Sequence, residues 1–103
     1  MAASRRARGH EQREPRFGVV VQADELLALS TILLSPTSTR ARPATFRPEI
    51  EIAGRSTRVL VEQASVVDPD RLGRSAGRLS PAEMRDLDEA LALVFGLAVW
   101  TAR

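Results

Sequence analysis

The chain has 103 residues, a hydrophobic share of 44% and no cysteine. This composition predicts one domain with a modest core, and it excludes a disulfide framework or a thiolate metal site. No apolar run is long enough to cross a membrane, and the arginine-rich start lacks the hydrophobic region of a secretory signal, so we expect a cytoplasmic protein.

Basic charge is concentrated near the N-terminus. All 15 basic residues are arginine; five of them precede residue 17, where there are only two acids. Further arginines that add to this basic face are Arg40, Arg42, Arg47, Arg55 and Arg58. Guanidinium groups suit phosphate, which favours a nucleic-acid partner, although arginine-rich ends also serve simply to keep a chain soluble.

The first half of the chain predicts an arm, two strands and a loop. Residues 1–15 show no periodicity, and residues 1–8 are expected to form a flexible arginine-rich arm. "FGVVVQ" at 17–22 and "STILLS" at 30–35 are short apolar runs, typical of buried strands. The polar stretch from Pro36 to Ala44 then predicts a loop.

The second half predicts a hairpin and a helix. "EIEI" at 49–52 alternates, as a half-exposed strand does, and pairs with "TRVLVEQ" at 57–63 across "AGRS". "VVDPDRLG" is expected to turn, with one helical turn, and "GRL" to form a short last strand. Ser80 and Glu83 form a capping box before an apolar stripe, which predicts a helix over 81–95 with Gly96 as its cap. The stripe comprises Met84, Leu87, Leu91, Val94 and Phe95.

Few residues suggest catalysis on composition alone. His10 is the single histidine, which excludes a general acid and base pair of two histidines. "SPTSTR" at 35–40 is either a solubilising loop or a rim of hydroxyls and arginine that contacts a phosphodiester. Glu62-Gln63 is either an ordinary strand end or a carboxylate and amide pair for the edges of unstacked bases. The pairs Asp68/Asp70 and Asp86/Asp88 are expected to serve turns or the surface.

Four motifs occur in an order that resembles the MazF/PemK (Kid) family of toxin endoribonucleases. They are Gly9-His10-Glu11-Gln12 with Arg16 before "VVVQAD"; Pro36-Thr37-Ser38 after the second strand; Glu62-Gln63 followed by "RLGRSAGRLS"; and the closing "MRDLDEALALVFGL". The resemblance covers about residues 9–97, which we expect to be the barrel domain, with 98–103 as a tail. It implies a mainly β (α+β) fold: a small SH3-like barrel with a C-terminal helix. It also implies that the protein forms a homodimer.

The resemblance implies cleavage of single-stranded RNA at short sequences, without metal or cofactor. The 2′-hydroxyl attacks the adjacent phosphorus and leaves a 2′,3′-cyclic phosphate and a 5′-hydroxyl. Glu11 matches the general base, Arg16 the arginine over the scissile phosphate and Thr37 the threonine that bonds the phosphoryl oxygen. The residues implied to bind RNA are Gln12, Ser38, Arg40, Arg42, Glu62 and Gln63. The implied partner is a cognate antitoxin whose acidic, flexible segment orders on the basic groove.

Two features depart from the family pattern. Members begin with an apolar strand, whereas "MAASRRAR" is not expected to form one, which would leave a barrel edge open; Phe17 also stands where proline is usual. An upstream start, a weakened toxin or a partner that completes the sheet would each explain this. The alternative function is a non-catalytic protein: a relative that binds RNA or antitoxin, or a gyrase poison of the CcdB type acting through Trp100.

Overall fold

The computed structural model describes residues 6–10 and 16–97, with backbone alone for residues 6–10 and Arg16. Within this range the strands are β1 (Arg6–His10), β2 (Arg16–Val20), β3 (Ile32–Ser38), β4 (Glu49–Ile52), β5 (Arg55–Val59), β6 (Ser65–Val67) and β7 (Leu72–Arg78). One α-helix, α1 (Pro81–Val94), follows them, and short 3-10 turns cover Asp24–Leu26, Val61–Gln63 and Pro69–Arg71. The prediction of a mainly β chain with a C-terminal helix is confirmed.

The strands form an antiparallel sheet in the order β4-β5-β3-β2-β1-β7. Strand β3 organises this sheet because it pairs along both of its edges. One edge pairs with β2, while the other pairs with β6 near Leu33 and with β5 at Thr37 and Ser38. A chain that changes partner along one strand curls the sheet, and the end of β3 is the point where its two halves meet.

The prediction that "MAASRRAR" does not form a strand is wrong for residues 6–8. Arg6–His10 pairs antiparallel with β2, with Ala7 opposite Val19 and His10 opposite Arg16. Its other edge pairs with β7. Sheet pairing uses backbone N–H and C=O groups, so a strand held between two neighbours needs no large apolar side chain. Residues 6–8, which we expected to belong to a flexible arm, therefore lie in the sheet.

The "VVV" run of β2 packs on both faces of the sheet. Val19 and Val21 join a cluster that α1 covers with Leu87 and Ala90, while Val20 faces a smaller cluster. That smaller cluster consists of Val20, Ile32, Leu34 and Leu72. An uninterrupted apolar run is what a strand buried on both faces requires. The buried-strand predictions for 17–22 and 30–35 are confirmed over residues 18–20 and 32–35, whereas residues 21–22 and 30–31 lie outside the strands and Phe17 is exposed.

The β4–β5 hairpin is confirmed with a two-residue turn. Ala53 and Gly54 have φ of 54° and 79°, the positive values that a tight turn between twisted strands requires at both positions. Ile50 and Ile52 point into the core while Glu49 and Glu51 are exposed. The hairpin therefore places β5, and with it Arg58, against the end of β3.

Three boundaries differ from the sequence predictions. Pro36, Thr37 and Ser38 belong to β3 instead of the following loop, since pairing with β2 and β5 continues through them. Glu62 and Gln63 lie in a 3-10 turn after β5 instead of ending a strand. Strand β7 has seven residues where three were expected, because β1 supplies a partner along it.

The capping box of α1 is confirmed: the Ser80 hydroxyl accepts from the Glu83 N–H at 3.1 Å, and the Glu83 carboxylate accepts from the Ser80 N–H at 2.9 Å. The predicted stripe is buried at Leu87 and partly buried at Met84 and Leu91. Val94 and Phe95 are exposed, so the stripe extends beyond the part of the sheet that the helix covers. Gly96 has the positive φ expected of a residue that ends a helix.

Candidate functional site

The start of β2 and the end of β3 meet at one end of the sheet. Gly18 is the register partner of Pro36, and the Thr37 hydroxyl donates to the Phe17 carbonyl at 2.8 Å. Thr37 is thereby tied to the residue next to Arg16. The structure brings together the backbone positions of these two candidate catalytic residues, which are 21 positions apart in the chain.

The two hydroxyls at the end of β3 are in different hydrogen-bonding states. A hydroxyl has one proton to donate, and that of Thr37 is directed to Phe17. To donate to a phosphoryl oxygen, the Thr37 hydroxyl has to rotate away from this carbonyl. Ser38 accepts from the Arg40 N–H at 3.1 Å, and among the described residues its own proton has no acceptor.

We call residues 39–47 the rim loop. It leaves β3 at the Ser38–Arg40 contact and closes with a short bridge, in which the Arg47 N–H donates to the Ala44 carbonyl at 2.9 Å. The side chains of Arg40 and Arg42 are exposed. The rim loop therefore presents two cations next to the hydroxyls of β3, an arrangement that suits a phosphate-bearing polymer.

Arg47 closes the rim loop onto the 3-10 turn of residues 61–63. Its Nη2 lies 2.6 Å and its Nε 3.0 Å from Glu62 Oε2, and its Nη1 donates to the Arg42 carbonyl at 3.4 Å. Arg58 of β5 also contacts Arg47, donating to its carbonyl at 2.8 Å. We call Arg47, Glu62 and Arg58 the Arg47–Glu62 corner. The hydrogen bond from Arg47 holds the pKa of Glu62 below its usual range, against the opposing effect of desolvation.

From the sequence alone, Arg47 is one of several arginines on a general basic face. Its role at this corner depends on Glu62, 15 residues further on, and no local pattern links the two positions. Glu62 itself was predicted to contact RNA, and the structure places its carboxylate against Arg47. Gln63, its neighbour in the turn, is exposed.

Several predicted site residues lie outside the described residues. These are Glu11 and Gln12, and also Trp100, on which the gyrase-poison alternative depends. Asp68 serves a turn, as expected, by accepting from the Asp70 N–H at 2.9 Å. Over residues 6–10 and 16–97 no group of three or more acidic, histidine or cysteine side chains is arranged to hold a metal ion, and no helix there is long and apolar enough to span a membrane.

Comparison with known proteins agrees with the ordered motifs. The family model described as "PemK-like, MazF-like toxin of type II toxin-antitoxin system" matches residues 1–95. The chain belongs to this family. Rv3098A of Mycobacterium tuberculosis, whose name carries the word toxin, is 38% identical over 91 residues, which are 87% of this chain and 85% of the relative. The family match includes the N-terminal segment that sequence analysis had set apart.

Solved structures of MazF toxins share the fold. The M. tuberculosis toxin MazF-mt6 superposes with a TM-score of 0.78 over 89% of this chain and 97% of its own, at 17% identity. An endoribonuclease in complex with its cognate antitoxin, from a mycobacterial species, gives 0.77 over 94% and 96%, at 17% identity. A MazE–MazF complex from Deinococcus radiodurans gives 0.74 over 90% and 93%, at 14% identity. The predicted MazF-type barrel is confirmed.

Proposed function

We propose that this PemK/MazF family toxin is an endoribonuclease that cleaves single-stranded RNA at short sequences and thereby inhibits translation and growth. The observation that carries the proposal is the Thr37–Phe17 hydrogen bond, which fixes the end of β3 beside the start of β2. The segments that carry Thr37 and Arg16 are therefore neighbours, and the exposed arginines of the rim loop follow directly after the end of β3. A hydroxyl and a guanidinium are groups that stabilise charge on the oxygens of a phosphodiester in its transition state.

In the proposed reaction the RNA supplies its own nucleophile. Glu11 takes the proton of the 2′-hydroxyl, the 2′-oxygen bonds to the adjacent phosphorus, and the bond from phosphorus to the 5′-oxygen breaks. The products are a 2′,3′-cyclic phosphate and a 5′-hydroxyl, the leaving oxygen taking a proton from solvent. Arg16 stabilises the charge on the non-bridging oxygens, since a guanidinium stays protonated at neutral pH and is a poor proton donor.

Most of the residues proposed to select bases lie on segments next to Thr37. Ser38, Arg40 and Arg42 lie at the end of β3 and on the rim loop, and Gln63 lies on the neighbouring turn. Gln12 follows Glu11 in the chain and completes the proposed set. A homodimer in the cytoplasm, neutralised by a cognate antitoxin with an acidic segment, fits the family and the two related structures described as complexes with an antitoxin or with MazE.

The decisive experiment is incubation of the purified chain with a long single-stranded RNA in EDTA, followed by mapping of 5′-hydroxyl ends. We expect discrete cleavage sites, with Arg16→Ala and Glu11→Ala each lowering the rate by about 10²-fold or more. Arg85→Ala removes an exposed arginine of α1 and is the matched control, expected to cleave like the wild type.

Two results would overturn the proposal. One is the absence of 5′-hydroxyl ends with any RNA tested; the other is wild-type cleavage by both variants. Antitoxin binding without cleavage would favour a non-catalytic relative, and inhibition of gyrase without cleavage would favour the gyrase-poison alternative.

A further inference from the structure

The contacts of Arg47 direct most of its N–H donors to protein acceptors. Nε and Nη2 both donate to Glu62 Oε2, and Nη1 donates to the Arg42 carbonyl. Each of the three nitrogens has a protein acceptor, which uses three of the five N–H donors of the guanidinium, and about a quarter of each side chain of the pair is exposed. Arg40 and Arg42 are exposed on the same loop. The three arginines of the rim loop are thus not equivalent: one is neutralised and two project into solvent.

The same contacts tether the loop. Arg47 is its last residue, and it is bonded to the turn of residues 61–63 by its side chain and to Arg58 of β5 by its carbonyl. The Arg47 guanidinium also lies 5.4 Å from the Phe46 ring centroid, within the range of a cation–π contact. These bonds fix the distance between the loop that carries Arg40 and Arg42 and the turn that carries Gln63.

We propose that Glu62 acts through Arg47 as a positioning residue, which holds the rim loop in place and withholds one guanidinium from the RNA backbone. The RNA part of this inference rests on the proposed function. A backbone-binding arginine adds affinity for every sequence, because phosphates carry no sequence information. Neutralising Arg47 therefore favours base contacts by Gln63 and the loop over indiscriminate binding of the backbone.

Restraint of Arg47 by Glu62 and direct contact of Glu62 with a base predict different effects of Glu62→Gln on RNA binding. If Glu62 binds a base, Glu62→Gln weakens binding or leaves its salt dependence unchanged. If Glu62 restrains Arg47, the same change releases a cation to phosphate. For single strands the logarithm of the binding constant falls with the logarithm of salt concentration with a slope of about −0.7 per neutralised phosphate. We therefore expect Glu62→Gln to steepen the slope by about 0.7.

The binding experiment uses a fluorescent single-stranded DNA of about 12 thymidylates, which lacks the 2′-hydroxyl and so cannot be cleaved by the proposed chemistry. Affinity is measured across a range of salt concentrations. Glu49→Gln is the matched control: it removes the same charge from an exposed carboxylate that is bonded to Ser56 in the hairpin. We expect the slope of Glu49→Gln to match the wild type, Glu62→Asp to restore the slope, and the double variant Glu62→Gln with Arg47→Ala to cancel the gain.

Hydrogen exchange tests the tether without any nucleic acid. Amides of residues 39–47 should exchange about threefold to tenfold faster in Glu62→Gln, and at the wild-type rate in Glu49→Gln. An unchanged salt slope, a gain equal to that of Glu49→Gln, or unchanged exchange in the rim loop would each overturn the inference. If the wild type fails to cleave RNA, the proposed function fails, while the exchange and salt-slope results still decide whether Glu62 restrains Arg47.

Discussion

The core under α1 is stabilised by different forces from the surface formed by Thr37, Arg47 and Glu62, which we call the rim. Under the helix, Val19, Val59 and Leu87 are fully buried and the stabilisation comes from apolar contact. At the rim, Thr37, Arg47 and Glu62 are held by directed hydrogen bonds to backbone and side-chain oxygens. Apolar burial tolerates exchange of one side chain for another of similar size, whereas a hydrogen-bonded corner depends on particular atoms. Stability and activity should therefore be separable by mutation.

Truncation of the core should produce the largest loss of stability. Leu87 is 0% exposed at the centre of the helix contact, so Leu87→Ala is expected to lower the free energy of unfolding by about 2–5 kcal/mol. Leu93→Ala, at a position 49% exposed on the same helix, should change it by less than about 0.5 kcal/mol. Urea unfolding measures both. Equal losses in the two variants would contradict the assignment of Leu87 to the core.

The rim should show the opposite pattern. Thr37→Val keeps the shape of the side chain and removes the hydroxyl, so we expect RNA cleavage to slow by about 10²-fold while the free energy of unfolding changes by less than about 1 kcal/mol. Thr31→Val, at an exposed position just before β3, is the control and should cleave normally. A Thr37→Val protein that retains full cleavage would remove Thr37 from the proposed mechanism.

Two serines with different hydrogen bonding should respond in opposite ways to substitution by alanine. Ser35 is 0% exposed and its Oγ has no hydrogen-bond partner among the residues that the structure describes, whereas Ser80 caps α1. Since an unpaired buried hydroxyl is unfavourable, Ser35→Ala should raise the free energy of unfolding by up to about 1 kcal/mol. Ser80→Ala should lower it by about 1 kcal/mol. The same substitution is thus expected to have opposite signs, and a loss of stability in Ser35→Ala would show that its hydroxyl is bonded in solution.

The smallest expected effect is the pH dependence of the Arg47–Glu62 pair. The pKa of Glu62 is lower in the folded chain than in the unfolded one, where a glutamate titrates near 4.3. The pair therefore stabilises the folded state above about pH 4.3 and loses this contribution as pH falls through the lower folded value. For a partly exposed pair the contribution is at most about 1 kcal/mol. The stability difference between wild type and Glu62→Gln, measured by denaturant unfolding, should shrink on acidification; a constant difference would contradict the pairing.

The elements that sequence analysis predicted well are those with strong side-chain signals. The alternation at 49–52, the valine run of β2 and the capping box at Ser80 each specify their own conformation. Strand β1 was missed because backbone pairing with β2 and β7, set by the rest of the sheet, determines its conformation. The end of β3 was assigned to a loop for the same reason, since Pro36 is a poor central-strand residue taken alone.

The candidate site also contains residues that local sequence motifs predict and residues whose contacts depend on the fold. Ordered motifs propose Arg16 and Thr37 as catalytic candidates, and the structure adds that the segments carrying them are neighbours. The Arg47–Glu62 corner was not predictable, because it depends on a contact between two turns that no periodicity links. Thr37 illustrates a further limit: the motif supplies a hydroxyl, and only the structure shows where its proton is directed.

The carboxylate of Glu83 spans two parts of the chain. One oxygen accepts from Ser80 to begin α1, and the other accepts from the Glu51 N–H of β4 at 2.9 Å. Strand β4 lies at an end of the sheet, where an unpaired N–H can recruit a strand from another molecule. Glu83 occupies that donor, so a single side chain joins the first turn of α1 to the edge of the hairpin across 32 positions of sequence.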